Sequence, residues 1–108
     1  MDQETGKKIQ EIQIFEQSLQ SILMQKQAFL MESEESEKAL QELESSGEEV
    51  YKLIGQLLIK SDKTRVIEEL KKKTGLLNLR IKNIEKQEQS LIEKLESLRE
   101  DIAKTFNK

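Results

Sequence analysis

The sequence predicts a mainly α fold, a long antiparallel two-helix coiled coil whose arms are joined by a short β-hairpin. Three observations carry that reading. The 108 residues are 36% charged and 35% apolar, with no proline anywhere. Apolar residues recur on a seven-residue beat in both halves of the chain, and a β-branched segment cut by a glycine separates those halves. A compact globule holds nearer half apolar residues, whereas charged, proline-free chains rich in Glu, Lys and Leu are usually long helices.

In the first arm, position a is Ile12, Leu19, Lys26, Ser33 and Leu40, and position d is Phe15, Ile22, Phe29, Ser36 and Leu43. In the second arm, a is Ile67, Thr74, Ile81, Glu88, Leu95 and Ile102, and d is Leu70, Leu77, Ile84, Leu91, Leu98 and Thr105. An apolar repeat of 3.5 residues held for that long is the mark of a coiled coil rather than of a globular amphipathic helix. The division is 1–46 for the first arm, 47–61 for the hairpin and 62–108 for the second arm, all one domain. At about 1.5 Å per residue each arm would be about 68 Å long. So short a connection obliges the arms to fold back antiparallel.

That topology can be checked on the heptads. In an antiparallel pair each a residue faces a d residue, so facing residue numbers share one total. Ile12 with Leu98, Leu19 with Leu91, Lys26 with Ile84, Ser33 with Leu77 and Leu40 with Leu70 all total 110. So do Phe15 with Leu95, Ile22 with Glu88, Phe29 with Ile81, Ser36 with Thr74 and Leu43 with Ile67. The same register sets the eight Glu of residues 32–49 beside the eight Lys and Arg of residues 60–82. The basic run then neutralises its neighbour, and the net charge is only −3.

The middle segment has a different character. Ser45-Ser46-Gly47 ends the first helix, with Gly47 placed for the left-handed C-terminal conformation. Val50-Tyr51-Lys52-Leu53-Ile54 and Leu57-Leu58-Ile59-Lys60 flank Gly55-Gln56, which predicts a hairpin with a type II′ turn. Ser61 or Asp62 then caps the second helix. Such a turn pairs Ile54 with Leu57, Leu53 with Leu58 and Lys52 with Ile59. Val50, Ile54, Leu57 and Ile59 fall on one face, and Tyr51, Leu53 and Leu58 on the other. A lone hairpin is marginal in water, and apolar edges of this kind are normally covered, so pairing with hairpins of other chains is expected.

The residue inventory excludes most chemistry. Without Cys or His there is no thiolate, no imidazole base, no disulfide and no ordinary zinc, iron or copper site. No glycine-rich phosphate loop or calcium loop occurs, so no enzymatic activity and no cofactor are expected. The longest uninterrupted apolar run, Ala28-Phe29-Leu30-Met31, is far too short to span a membrane. Met1-Asp2-Gln3-Glu4 lacks the basic start and apolar core of a secretory signal, which leads to the expectation of a cytoplasmic protein.

Helix, then Val50-Tyr51-Lys52-Leu53-Ile54-Gly55, then Leu57-Leu58-Ile59-Lys60, then helix resembles the β-type subunit of prefoldin. The resemblance covers essentially the whole chain and is most specific in the hairpin. Gln56, where some family members have proline, is nearer the archaeal form. The resemblance implies a hexamer of two α-type and four β-type subunits whose hairpins join into a β-barrel platform. The assembly residues would be Val50, Tyr51, Leu53, Ile54, Gly55, Leu57, Leu58 and Ile59. It also implies capture of unfolded client proteins at the coiled-coil tips without ATP, and their delivery to a group II chaperonin.

The flanking heptad positions fit such a tip. In the outer part of the arms, the apolar residues Ile9, Leu23, Leu30, Ile92 and Phe106 fall at position e, whereas g there carries Glu11, Ser18, Gln25, Gln87, Lys94 and Asp101. One side of the distal coiled coil is therefore widened by apolar groups and the other is not. With Ile14 on the outer surface, the adhesive tip would comprise Ile9, Ile12, Ile14, Phe15, Leu98, Ile102 and Phe106. Lys26 and Glu88 lie about one turn apart on opposing arms and could form an ion pair that fixes the register. Ser33, Ser36 and Thr74 beside Gly75 make a weak stretch of seam. Two other functions stay open, a structural spacer or tether and an RNA-binding helical arm. The acidic balance and scarce aromatics weigh against nucleic acid.

Overall fold

The computed structural model describes residues 2–107. Helix α1 spans Gln3–Ser45, strand β1 Glu49–Ile54, strand β2 Leu57–Asp62 and helix α2 Lys63–Phe106. None of these helices is long and apolar enough to cross a membrane. The chain forms two compact units, Met1–Gln27 with Lys82–Lys108, and Ala28–Ile81.

Helix α1 begins on a side-chain cap. The Thr5 amide donates to Asp2 Oδ1 at 2.7 Å, which satisfies one of the free amides of the first turn. That bond, made to the charged carboxylate, holds the Asp2 pKa below its ordinary value of 3.8. The other end of α1 corrects the sequence reading. Gly55 is the only glycine with positive φ among the described residues, so Gly47 does not take the left-handed conformation. Ser46 does its work instead. Its amide and its hydroxyl both donate to the Leu43 carbonyl, at 3.3 and 3.0 Å. Lys63 Nζ then donates to the Ser46 carbonyl at 2.9 Å. With those acceptors satisfied, a left-handed residue is not required.

The sheet has the predicted register, with Ile54 opposite Leu57, Leu53 opposite Leu58 and Lys52 opposite Ile59. Gly55 has φ of 62° while Gln56 stays negative, the combination that a type II′ turn demands. β2 runs directly into α2, with Asp62 the residue before the first helical turn.

In the first unit the seam holds Ile12, Phe15, Leu19, Ile22 and Lys26 of α1 and Ile84, Glu88, Leu91, Leu95, Leu98 and Ile102 of α2. Each is buried or half-buried. Buried Thr5 extends the a series by one heptad, whereas Thr105 opposite it is exposed. In the second unit the seam holds Phe29, Ser33, Ser36, Leu40 and Leu43 against Ile67, Leu70, Thr74, Leu77 and Ile81, again all buried or half-buried. Two helices cannot enclose a side chain on every side, and no large side chain is fully buried among the described residues. Burial still contributes, about 1.5–3 kcal/mol for a side chain as covered as Leu77 or Leu95.

Five polar contacts across the seam fall within one of the same total. Lys8–Asp101, Lys94 over Phe15, and Arg80 over Phe29 each total 109, and Ser33–Asn78 and Lys26–Glu85 each total 111. The pair Glu32–Lys73, at 3.2 Å, joins the acidic and basic runs within the second unit, and Lys52–Glu69, at 2.7 Å, ties β1 to α2.

Candidate assembly and binding surfaces

The hairpin is the most exposed apolar part of the second unit. Only Val50, 7% exposed, and Ser61 are sheltered, both at the end of the ribbon nearest the helices. Beyond them Leu53, Leu57 and Leu58 are 68%, 68% and 67% exposed, and Tyr51, Ile54 and Ile59 are exposed as well. Alternation along the strands puts Ile54, Leu57 and Ile59 on one face and Tyr51, Leu53 and Leu58 on the other. Neither face of the ribbon is folded down on the helices. The outer edge of each strand is free too, because the sheet contains these two strands alone. A two-stranded sheet with apolar groups on both faces and two open edges is built to be completed from outside.

The seven predicted tip residues all fall in the first unit. Ile14 and Phe106 are exposed, whereas Ile9, Ile12, Phe15, Leu98 and Ile102 are half-buried against the opposing helix. The half-buried members have a structural role in the seam as well as an accessible edge. Lys94 Nζ lies 5.7 Å from the Phe15 ring and covers part of it. The apolar e side predicted from the heptads forms an open groove of about 730 Å³, whose apolar lining is Leu19, Leu23, Ile92 and Leu95. Glutamines and the Glu16–Arg99 ion pair, at 2.8 Å, border it. A shallower recess lies beside Ile14 and Ile22.

Lys26 and Glu88 do pair. Lys26 Nζ lies 3.4 Å from both carboxylate oxygens of Glu88 and 3.9 Å from Glu85. Ser33 donates to Asn78 Oδ1 at 3.4 Å and Thr74 to the Leu70 carbonyl at 2.9 Å, so two of the three small seam residues are hydrogen-bonded through their side chains. Among the described residues no group of three or more acidic side chains is arranged to hold a metal. Reading a, d, e and g alone missed four exposed apolar side chains, Met24, Met31, Leu76 and Leu79. All sit at outward c or f positions, which the same heptad count would have flagged.

The geometry defines a class, a helical hairpin subunit whose connecting sheet is left open for completion by other chains. The model of the prefoldin subunit family matches residues 6–108. The chain is 41% identical over 90 residues to the prefoldin subunit beta of Thermococcus onnurineus, covering 82% of this chain and 78% of that one. It is 39% identical over 92 residues to that of Pyrobaculum neutrophilum, covering 83% and 73%. The crystal structure of the prefoldin beta subunit from Thermococcus strain KS-1 superposes with a TM-score of 0.91 at 33% identity, covering 99% of this chain and 96% of that one. The chain belongs to the prefoldin family, as a β-type chaperone subunit.

Proposed function

We propose that the chain is a subunit of an ATP-independent holdase that captures unfolded proteins at the ends of its coiled coil. Its hairpin joins those of α-type subunits and of other β-type copies in a hexamer with a shared β-barrel, and clients pass from it to a group II chaperonin. The observation that carries the assembly half is the hairpin, with apolar groups exposed on both faces and two free edges. The observation that supports the capture half is Ile14, Phe106 and the apolar groove beside Leu23 and Ile92, all in the unit that contains both chain ends.

Each such end offers little apolar area, so a single contact with a client is weak and brief. Several ends held by one platform gain by effective concentration, which gives useful holding without a nucleotide cycle. The test compares aggregation of a chemically unfolded protein with and without the assembly, using the full chain and a variant lacking residues 1–8 and 103–108. A second variant carries Ile14→Ser, Phe15→Ser and Phe106→Ser. The expected result is protection that needs no ATP and is lost as the ends are trimmed, while the assembly mass is kept. Equal protection by the trimmed and full chains, at unchanged assembly mass, would overturn the assignment of the ends as the binding site.

A further inference from the structure

The second unit carries a surface that neither the seam nor the hairpin uses. Leu76 and Leu79 of α2 are 58% and 57% exposed and lie three residues apart, on one helical face at positions c and f. Beside them is an open groove of about 350 Å³, lined by Lys72, Lys73, Leu76, Leu77 and Arg80 together with the carboxylates of Glu32 and Glu69. The two carboxylates are already engaged, Glu32 with Lys73 at 3.2 Å and Glu69 with Lys52 at 2.7 Å. Lys72 and Arg80 form no ion pair among the described residues. The Arg80 guanidinium carbon rests 5.8 Å from the centre of the Phe29 ring, so its charge lies over that ring beside the groove. The face thus combines two unburied leucines with two cations that form no ion pair among the described residues, Lys72 before them, close enough to help Lys52 lower the Glu69 pKa, and Arg80 after.

We propose that this face of α2 docks an acidic amphipathic helix of another protein. The apolar side chains of that helix would cover Leu76 and Leu79, and its carboxylates would meet Lys72 and Arg80. Spacings of three and four residues from Lys72 through Leu76 to Leu79 and Arg80 form a stripe along the helix, the pattern that an opposing helix reads. Charge complementarity selects an acidic partner and the leucines select one with an apolar stripe. A nucleic acid fits the face poorly. No exposed aromatic ring offers a base-stacking platform there.

The test uses the full chain in its native assembly and a fluorescent helical peptide with Leu at i, i+3, i+4 and i+7 flanked by Glu. Binding is read by anisotropy against three variants, Leu76→Ser with Leu79→Ser, Lys72→Glu, and the tip variant with Ile14→Ser, Phe15→Ser and Phe106→Ser. Circular dichroism checks that each variant stays helical. The expected result is binding weakened at least ~10-fold by each of the first two variants and left unchanged by the third. Lys72→Glu should also improve binding of a second peptide in which Lys replaces every Glu. Equal binding by wild type and the groove variants, or loss in the tip variant alone, overturns the proposal. So does displacement of the peptide by a single-stranded RNA oligonucleotide, or self-association of the chain that Leu76→Ser with Leu79→Ser abolishes.

Discussion

Lys26 is a cation at a seam position where its neighbours one heptad away are Leu19 and Ser33. Its own register partner is Ile84, so the ammonium reaches along α2 to Glu88, with Glu85 also within 3.9 Å. Lys26 and Glu88 are 24% and 19% exposed, sheltered enough that losing one partner matters. Glu88→Ala is expected to lower stability by about 1–3 kcal/mol, because it leaves the ammonium half-buried with only the longer contact to Glu85. Lys26→Leu combined with Glu88→Leu should recover that loss or exceed wild type, since an apolar pair fills a seam better than a sheltered ion pair. Thermal unfolding of the three proteins checks this, and equal melting of Glu88→Ala and wild type would count against it.

A second residue-scale expectation concerns acid. Hydrogen bonding from the Thr5 amide lowers the Asp2 pKa, and the Lys52 ammonium, through its hydrogen bond and its charge, lowers that of Glu69. A depressed folded pKa means the stabilisation is fully present above the ordinary values of 3.8 and 4.5. It is lost as pH falls through the lower folded values. Melting temperature should therefore decline as pH drops below those values, with a shallower decline in Asp2→Asn and Glu69→Gln. Melting scans between about pH 6 and pH 2 measure it.

At the scale of elements, the register is the testable quantity. The chain has no cysteine, so engineered pairs report without background. Leu19→Cys with Leu91→Cys in the first unit, and Leu40→Cys with Leu70→Cys in the second, should each form a disulfide within one chain. A pair shifted by a heptad, such as Leu19→Cys with Leu98→Cys, should not, because disulfide formation tolerates Cα separations only up to about 7 Å. The elements were legible for a physical reason. Heptad spacing is a property of one helix, and the requirement that a face d converts two local patterns into a long-range register. The turn was legible because Gly55 must carry positive φ, which few other residues accept. Gly47 misled because its apparent role depends on whether Ser46 closes the helix first, a competition between neighbours that composition does not rank. Leu76 and Leu79 escape a reading of seam positions because their c and f positions face outward.

At the scale of the whole molecule the chain divides its apolar surface by purpose. Seam side chains are covered within each unit, and the hairpin leaves its own uncovered on both faces. That division was visible in the sequence, since a ribbon apolar on both faces cannot be satisfied by one neighbouring surface. It also lets folding of the arms be separated from assembly by mutation. Leu53 and Leu58 face each other across the sheet on one of its exposed faces, away from the seam. Lys at both positions places two adjacent like charges on that face, and neither can be buried in an interface without a large desolvation penalty. The helices lose no contact of their own, so far-ultraviolet circular dichroism of Leu53→Lys with Leu58→Lys should match wild type. Native mass should fall to that of the single chain, both for the β-type subunit alone and after mixing with an α-type subunit. Client protection should fall with it, because the gain from several binding ends held together vanishes when each arm acts alone. An unchanged native mass would mean that the Tyr51, Leu53 and Leu58 face is not buried on assembly, and would shift the interface to the strand edges and the Ile54, Leu57 and Ile59 face.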